Sequence, residues 1–227
     1  MSLQPWLRGF LALALAFPIA CTAKAAPARP PIPAPTADLA LAAKPAKEKA
    51  VFAGGCFWGT QAVFERVRGV LKTTTGYSGG TAETATYDQV SSETTDHAES
   101  VEIVYDPSQI TYGTLLRIFF SVAHDPTQLN RQGPDVGRSY RSVIFWVNKD
   151  QERVAKAYIA QLDAAHVFPA KIVTEVTPLE AFYRAEDYHQ DYALHHPENP
   201  YIQVCDRPKI EALKEQFPGL FVAYDGH

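Results

Sequence analysis

The sequence predicts an α+β fold: a two-layer sandwich with a split βαβ (ferredoxin-like) core, a mixed sheet and an extended C-terminal tail. Two observations carry that reading. Apolar residues switch between strand-like runs and helical spacing in the order β-α-β-β-α-β with additions. Residues 49–227 run without a second linker or an internal repeat, a length that suits one domain.

Residues 51–53 read as the end of a buried strand, and Ala62, Val63, Phe64 and Val67 recur at helical spacing from Thr60 onward. Residues 70–77 form a second strand, broken by Ser78-Gly79-Gly80. Residues 100–105 alternate as a third and stop at Asp106-Pro107. Leu115, Leu116, Phe119 and Phe120 predict a helix over 112–122, followed by a strand at 142–147, an amphipathic helix at 150–164 and a strand at 171–176. A short helix at 185–193, a Pro-rich loop through Pro200 and a last helix over 208–217, opened by Pro208, complete the chain.

The composition is that of a globular protein, 46% hydrophobic and 20% charged, and the net charge of −4 with no basic stripe excludes nucleic acid as the expected partner. Arg8 precedes an apolar stretch too short to span a bilayer, and Ala23-Lys24-Ala25 offers a cleavage site, so residues 1–25 read as a signal peptide. Export to a bacterial periplasm follows as the expectation. Cys21, directly after the apolar stretch, leaves open a lipoprotein anchor in place of simple removal. Residues 26–48 are rich in Pro and Ala without periodicity and read as an extended linker that buries no core. The folded domain is expected over 49–227.

Gly54-Gly55-Cys56-Phe57-Trp58-Gly59 sets a thiol between glycines and two aromatic rings at a strand-to-helix turn, where the helix dipole and free N–H groups are expected to favour the thiolate. An unpaired cysteine is more often a small buried hydrophobe, but a structural thiol needs neither close backbone approach nor an apolar pocket. With Cys21 removed, Cys205 is the other thiol of the domain. The two read as a reversible redox pair rather than a permanent staple.

Four further clusters lie in loops at predicted strand ends, where such a site is expected: Gly76-Tyr77-Ser78-Gly79-Gly80, Asp96-His97-Ala98-Glu99, His124-Asp125-Pro126-Thr127, and residues 131–142 with Asp135 and Tyr140. Taken singly, Tyr77 and Tyr140 suit core edges, Glu99 a solvated strand start and Asp135 a turn. The histidines show no compact ligand spacing, so no metal is expected.

Together, GGCFWG, GYSGG, the HAE triplet ending at Glu99, HDPT, RQGPDVGRSYRS and AEDYHQDY resemble, in order, the A-type peptide methionine sulfoxide reductases over 49 to about 201. The resemblance implies reduction of methionine-S-sulfoxide, free or in proteins, without metal or organic cofactor and with a thioredoxin-like reductant. It implies that the Cys56 thiolate attacks the sulfoxide sulfur, that Glu99 supplies a proton to the oxygen, and that Tyr77 and Tyr140 hydrogen-bond that oxygen. Phe57 and Trp58 would cage the methyl group, Asp135 would join the catalytic and substrate-binding residues, and Cys205 would resolve the Cys56 sulfenic acid. Cys205 departs from the family's usual Gly-rich tail position. Two other classes stay open: a hydrolase pairing Cys56 with His97 or His124, and a non-catalytic, membrane-tethered peptide binder.

Overall fold

The computed structural model describes residues 32–226. The signal-peptide and Cys21 expectations lie outside these residues. In chain order the elements are β1 (Glu48–Gly54), α1 (Phe57–Phe64), β2 (Val70–Ser78), α2 (Tyr87–Ser91), β3 (Ala98–Tyr105) and α3 (Tyr112–Ile118), which runs into a π-helical turn (Phe119–Ala123). A small hairpin of β4 (Arg131–Gln132) and β5 (Asp135–Val136) precedes β6 (Ser142–Trp146), α4 (Lys149–Ala164), β7 (Glu175–Pro178), β8 (Phe182–Arg184) and α5 (Tyr192–His195). A second π-helical turn (Ile202–Asp206) leads into α6 (Arg207–Gln216).

Six strands form one mixed sheet in the order β7-β6-β1-β3-β2-β8. β1 lies antiparallel between β3 and β6, and β7 adds parallel to β6. Alternation along β1 sorts the two faces. Val51 and Ala53 join Ala98, Val143 and Phe145 in a small cluster under Leu179 and Phe182, while Ala50 and Phe52 point into the main core. That core also takes Phe64, Leu115, Phe119 and Tyr158 from α1, α3, the first π turn and α4. Two helices start on side-chain caps: Thr111 Oγ1 accepts from Thr114 N at 3.1 Å, and Asn148 Oδ1 from Gln151 N at 2.9 Å.

Residues 32–47 carry no helix or strand, as their composition predicts, yet they do not hang free. Ile32 is buried in the main core; Arg117 Nε donates to its carbonyl at 2.9 Å and Tyr158 Oη to that of Pro33 at 2.7 Å. Asp38 accepts from Gly113 N at the start of α3. An extended Pro-rich strand has no internal hydrogen bonds, so its carbonyls stay open to side chains of the helices it crosses. Burial of a lone isoleucine leaves no periodic signature.

Three other elements differ from expectation. The strand predicted at 171–176 forms at Glu175–Pro178. In place of the helix predicted at 185–193 there are a 3-10 turn at Asp187–His189 and a short helix at Tyr192–His195, separated by a left-handed Asp191 (φ 53°) whose N–H donates to Gln61 Oε1. The residues after α6 are tied down rather than extended: Phe221 bridges to Val67, and Val222 N donates to Arg66 O at 2.9 Å.

Candidate active site

Antiparallel pairing collects the site at one edge of the sheet. The C-terminal end of β1 meets the N-terminal ends of its neighbours, with Gly54 opposite Ser142 and Phe52 opposite Val101, while Tyr77 of β2 faces Glu99. Cys56, Glu99 and Tyr140 therefore reach the same place from distant parts of the chain. Gly55 makes the turn possible: its φ is +83°, and a Cβ there would sit 2.5 Å from Gln132 Cγ. Cys56 follows as the N-cap residue of α1, only 7% exposed.

Glu99 is 4% exposed, and its Oε2 accepts the Phe57 N–H at 3.0 Å. Burial lifts its carboxyl to about 8, against the opposing pull of that amide and with help from the charges of Asp135, Glu93 and Asp206. At neutral pH it is a protonated acid. Burial also lifts the Cys56 thiol well above 9.0, aided by Glu99 and Asp206 and resisted by the Trp58 amide and Lys209. This corrects the expectation that the helix N-terminus would favour the thiolate: in α1, desolvation outweighs the amide and the cation. The resting state is thiol beside carboxylic acid.

A cavity of about 160 Å³ opens on both groups, lined by Cys56, Phe57, Trp58, Tyr87, Glu99, Asp135, Tyr140 and Tyr201. Phe57 and Trp58 form its apolar wall. Trp58 is held by stacking on Tyr192 at 3.8 Å and by its indole N–H, which donates to His189 Nδ1 at 3.1 Å. Burial raises the phenols of Tyr87, Tyr140 and Tyr201, so all three stay protonated donors.

Of the predicted residues, Tyr77 is not in that lining. It is fully buried, its hydroxyl donates to Glu186 Oε2 at 2.9 Å, and Glu186 Oε1 in turn accepts the Tyr87 N–H at 2.9 Å. Tyr77 thus braces the residue that holds Tyr87, and Tyr87 occupies the place expected of it. Inward-facing β2 residues enter the core, whereas Tyr87 reaches the cavity from the short helix α2. Tyr201, also missed, is the N-cap residue of the second π-helical turn and donates to Asp135 Oδ2. The available signal was an aromatic residue directly after a Pro-rich stretch, outside any apolar period.

Cys205 lies in the second π-helical turn, partly exposed, and lines a neighbouring cavity of about 190 Å³ together with Cys56, Gln132, Pro134, Asp135, Tyr201 and Lys209. The histidines of the hydrolase alternative are engaged elsewhere. His97 Nε2 lies 3.0 Å from Thr81 O, and His124 bonds Phe119 O and Ser142 Oγ at 3.1 and 2.7 Å. Neither lines either of these two cavities.

The family model for peptide methionine sulfoxide reductase matches residues 48–219. The chain is 56% identical over 188 residues to peptide methionine sulfoxide reductase MsrA 2 of Synechocystis sp., covering 82% of this chain and 88% of that protein. It is 54% identical to MsrA 2 of Mesorhizobium japonicum, covering 79% and 92%. Among solved structures it resembles methionine sulfoxide reductase A of Corynebacterium diphtheriae (TM-score 0.59, 35% identity, covering 69% of this chain and 78% of that one). It also resembles reduced Mxr1 of Saccharomyces cerevisiae (TM-score 0.61, 31% identity, 72% and 92%). With that match and those identities, the chain belongs to the peptide methionine sulfoxide reductase family.

Proposed function

We propose that this protein reduces methionine-S-sulfoxide, free or in proteins, to methionine. The observation that carries the reading is a buried thiol and a buried, protonated carboxyl opening on one small cavity with an aromatic wall. A sulfoxide oxygen is a strong acceptor and a poor leaving group until protonated, which is the task Glu99 suits. Tyr87 and Tyr140 supply further donors for that oxygen. Phe57 and Trp58 suit the S-methyl group, whose burial is worth about 0.8 kcal/mol and helps select the epimer.

In the reaction Cys56 Sγ attacks the sulfoxide sulfur, and the oxygen, protonated through Glu99, ends on the cysteine as a sulfenic acid while methionine leaves. Cys205 then condenses with the sulfenic acid, releasing water and forming a Cys56–Cys205 disulfide that a thioredoxin-like dithiol reduces. The shared cavity of the two sulfurs supports that pairing. The fold supports the ferredoxin-like reading of the core, because β2-β3-β1-β6 alternate in direction and are linked by α1 and α3.

The test is turnover of each sulfoxide epimer separately with dithiothreitol. S-epimer turnover that Cys56→Ser abolishes is the expected result; turnover retained by that variant, or confined to the R epimer, overturns the reading. Export rests on residues 1–25, and intact mass of the mature chain tests it. A chain beginning after Ala25 without lipid mass marks a soluble periplasmic protein, a diacylated Cys21 a membrane anchor, and a retained N-terminus refutes export.

A further inference from the structure

A buried charged pair sits where α6 meets α1. Asp206 closes the second π-helical turn with its side chain fully buried, and Lys209 Nζ, one turn on, donates to its Oδ1 at 3.1 Å. The other oxygen of Asp206, Oδ2, is buried with no hydrogen-bond partner. The pair is seated on Gly59, where a Cβ would collide with Asp206 Oδ1 and sit 2.6 Å from Lys209 Nζ. The last glycine of GGCFWG thus admits an ion pair from the C-terminal helix onto the helix that carries the nucleophile. A buried carboxylate with one oxygen unpartnered is costly, and in the first half-reaction it works against Cys56, whose ionisation its charge opposes. Its visible effect is to hold Lys209 in place. Lys209 is the cationic residue lining the cavity shared by Cys56 and Cys205.

We propose that Lys209 is a positioning residue for disulfide formation: its ammonium, fixed by Asp206 against Gly59, favours the Cys205 thiolate that attacks the Cys56 sulfenic acid. This rests on the reading above that Cys205 is the resolving thiol. The Cys205 thiol gives its proton to solvent and its sulfur bonds to Cys56 Sγ. The Cys56 S–O bond breaks, and the hydroxide takes a proton and leaves as water. No outside oxidant enters, because Cys56 was oxidised when the sulfoxide was reduced. Burial first, then Asp206 on its own turn and Asp135 from β5, hold the Cys205 thiol above its ordinary value; Lys209 from α6 pulls it back down, and α1 faces it without charged residues.

Removing one neighbouring ammonium shifts a thiol upward by about one pH unit, leaving about tenfold less thiolate at neutral pH. The more basic thiolate is about threefold more nucleophilic, so the net loss is about threefold. Above the titration of both forms the sign reverses, and the variant becomes about threefold faster. The experiment gives the reduced full-length chain one equivalent of methionine-S-sulfoxide and follows methionine formed, thiols remaining and sulfenic acid trapped by dimedone, from neutral to strongly alkaline pH. Dividing thiol loss by methionine formation in the same sample removes effects on folding or on the first step.

Lys209→Met is expected to form the disulfide about threefold more slowly at neutral pH, to accumulate sulfenic acid, and to overtake wild type at alkaline pH; Lys209→Arg retains the wild-type profile. A Lys209→Met profile parallel to wild type, whether equal or uniformly slowed, refutes the proposal. If wild type itself loses only one thiol per methionine formed instead of two, the Cys205 disulfide is the step that fails, and the role of Lys209 falls with it.

Discussion

Replacing Glu99 by Gln leaves an oxygen able to accept the Phe57 N–H, bonded at 3.0 Å in the native protein, so α1 keeps its partner while the carboxyl proton disappears. The consequence follows from counting protons. Sulfoxide reduction uses one, shared by Cys56 Sγ and Glu99: the sulfur must be bare while the oxygen is protonated. With Glu99 at about 8 and the thiol well above 9.0, both groups hold a proton at neutral pH. About one molecule in ten has lost one at pH 7, and the two groups titrate as a pair. For wild type, kcat/KM should rise with pH to a plateau above about 8, then fall once the second proton leaves. Glu99→Gln should lose about 10²-fold or more, the scale of missing general-acid help. It should also lose the limb near 8 and follow the thiol alone, at a lower pH than in wild type because the Glu99 charge helps to raise that thiol. The assay is kcat/KM for methionine-S-sulfoxide with dithiothreitol across pH. An identical limb in both proteins, or a loss under about threefold, would refute Glu99 as the proton donor.

The same substitution predicts a stability effect. The Glu99 carboxyl is raised in the folded state, so its contribution is fully present below 4.5 and is lost as pH rises to about 8. Over that window Glu99→Gln should gain on wild type by up to about 5 kcal/mol, at about 1.4 kcal/mol per pH unit. Urea denaturation at several pH values measures the difference, and a flat difference sinks the argument. Tyr87→Phe should lower kcat/KM by about 10²-fold, as for loss of a donor to a developing oxyanion, whereas Tyr77→Phe should cost under about tenfold. If Tyr77→Phe proves the more severe, the two tyrosines have been assigned in the wrong order. Gly59→Ala forces a Cβ onto the Asp206–Lys209 pair and should destabilise the fold by about 2–4 kcal/mol. A cost below about 0.5 kcal/mol in denaturant titration would mean that α6 yields at no expense.

Much of this site was legible in the sequence because its parts sit where local patterns end. Cys56 follows a strand and opens a helix, and Glu99 stands at the start of a strand; apolar periodicity marked both element ends, the family resemblance implied the role of Glu99, and antiparallel pairing brought the two together. Tyr87 and Tyr201 were missed for the converse reason: the five-residue α2 and the short π-helical turn that opens at Tyr201 have no period to read, and the hydrogen bonds of Glu186 and Asp135 place them. Ile32 and the carbonyls beside it escaped detection because a single buried residue in a Pro-rich stretch resembles a tether by composition. The sign of the Cys56 shift was missed because sequence reveals a helix terminus but not how completely the thiol above it is buried.

That last difference sets how the enzyme must work. A site dry enough to keep Glu99 protonated at neutral pH also penalises the Cys56 thiolate, since both shifts have burial as their first cause. Acid and nucleophile therefore cannot be prepared independently by local charges. Moving a cation close enough to ionise the thiol would also ionise the carboxyl beside it and remove the proton donor. The incoming sulfoxide resolves the conflict, because its oxygen takes the proton that the carboxyl holds, and as negative charge leaves the sulfur it is discharged on that oxygen. Within the described chain the cation Lys209 sits on the Cys205 side, in the cavity shared by the two sulfurs and absent from the lining of the one that holds Glu99. Its charge draws on the Cys56 thiol as well, but on the proposed reading its main service falls to disulfide formation, where a thiolate is needed and no buried carboxyl has to be kept protonated.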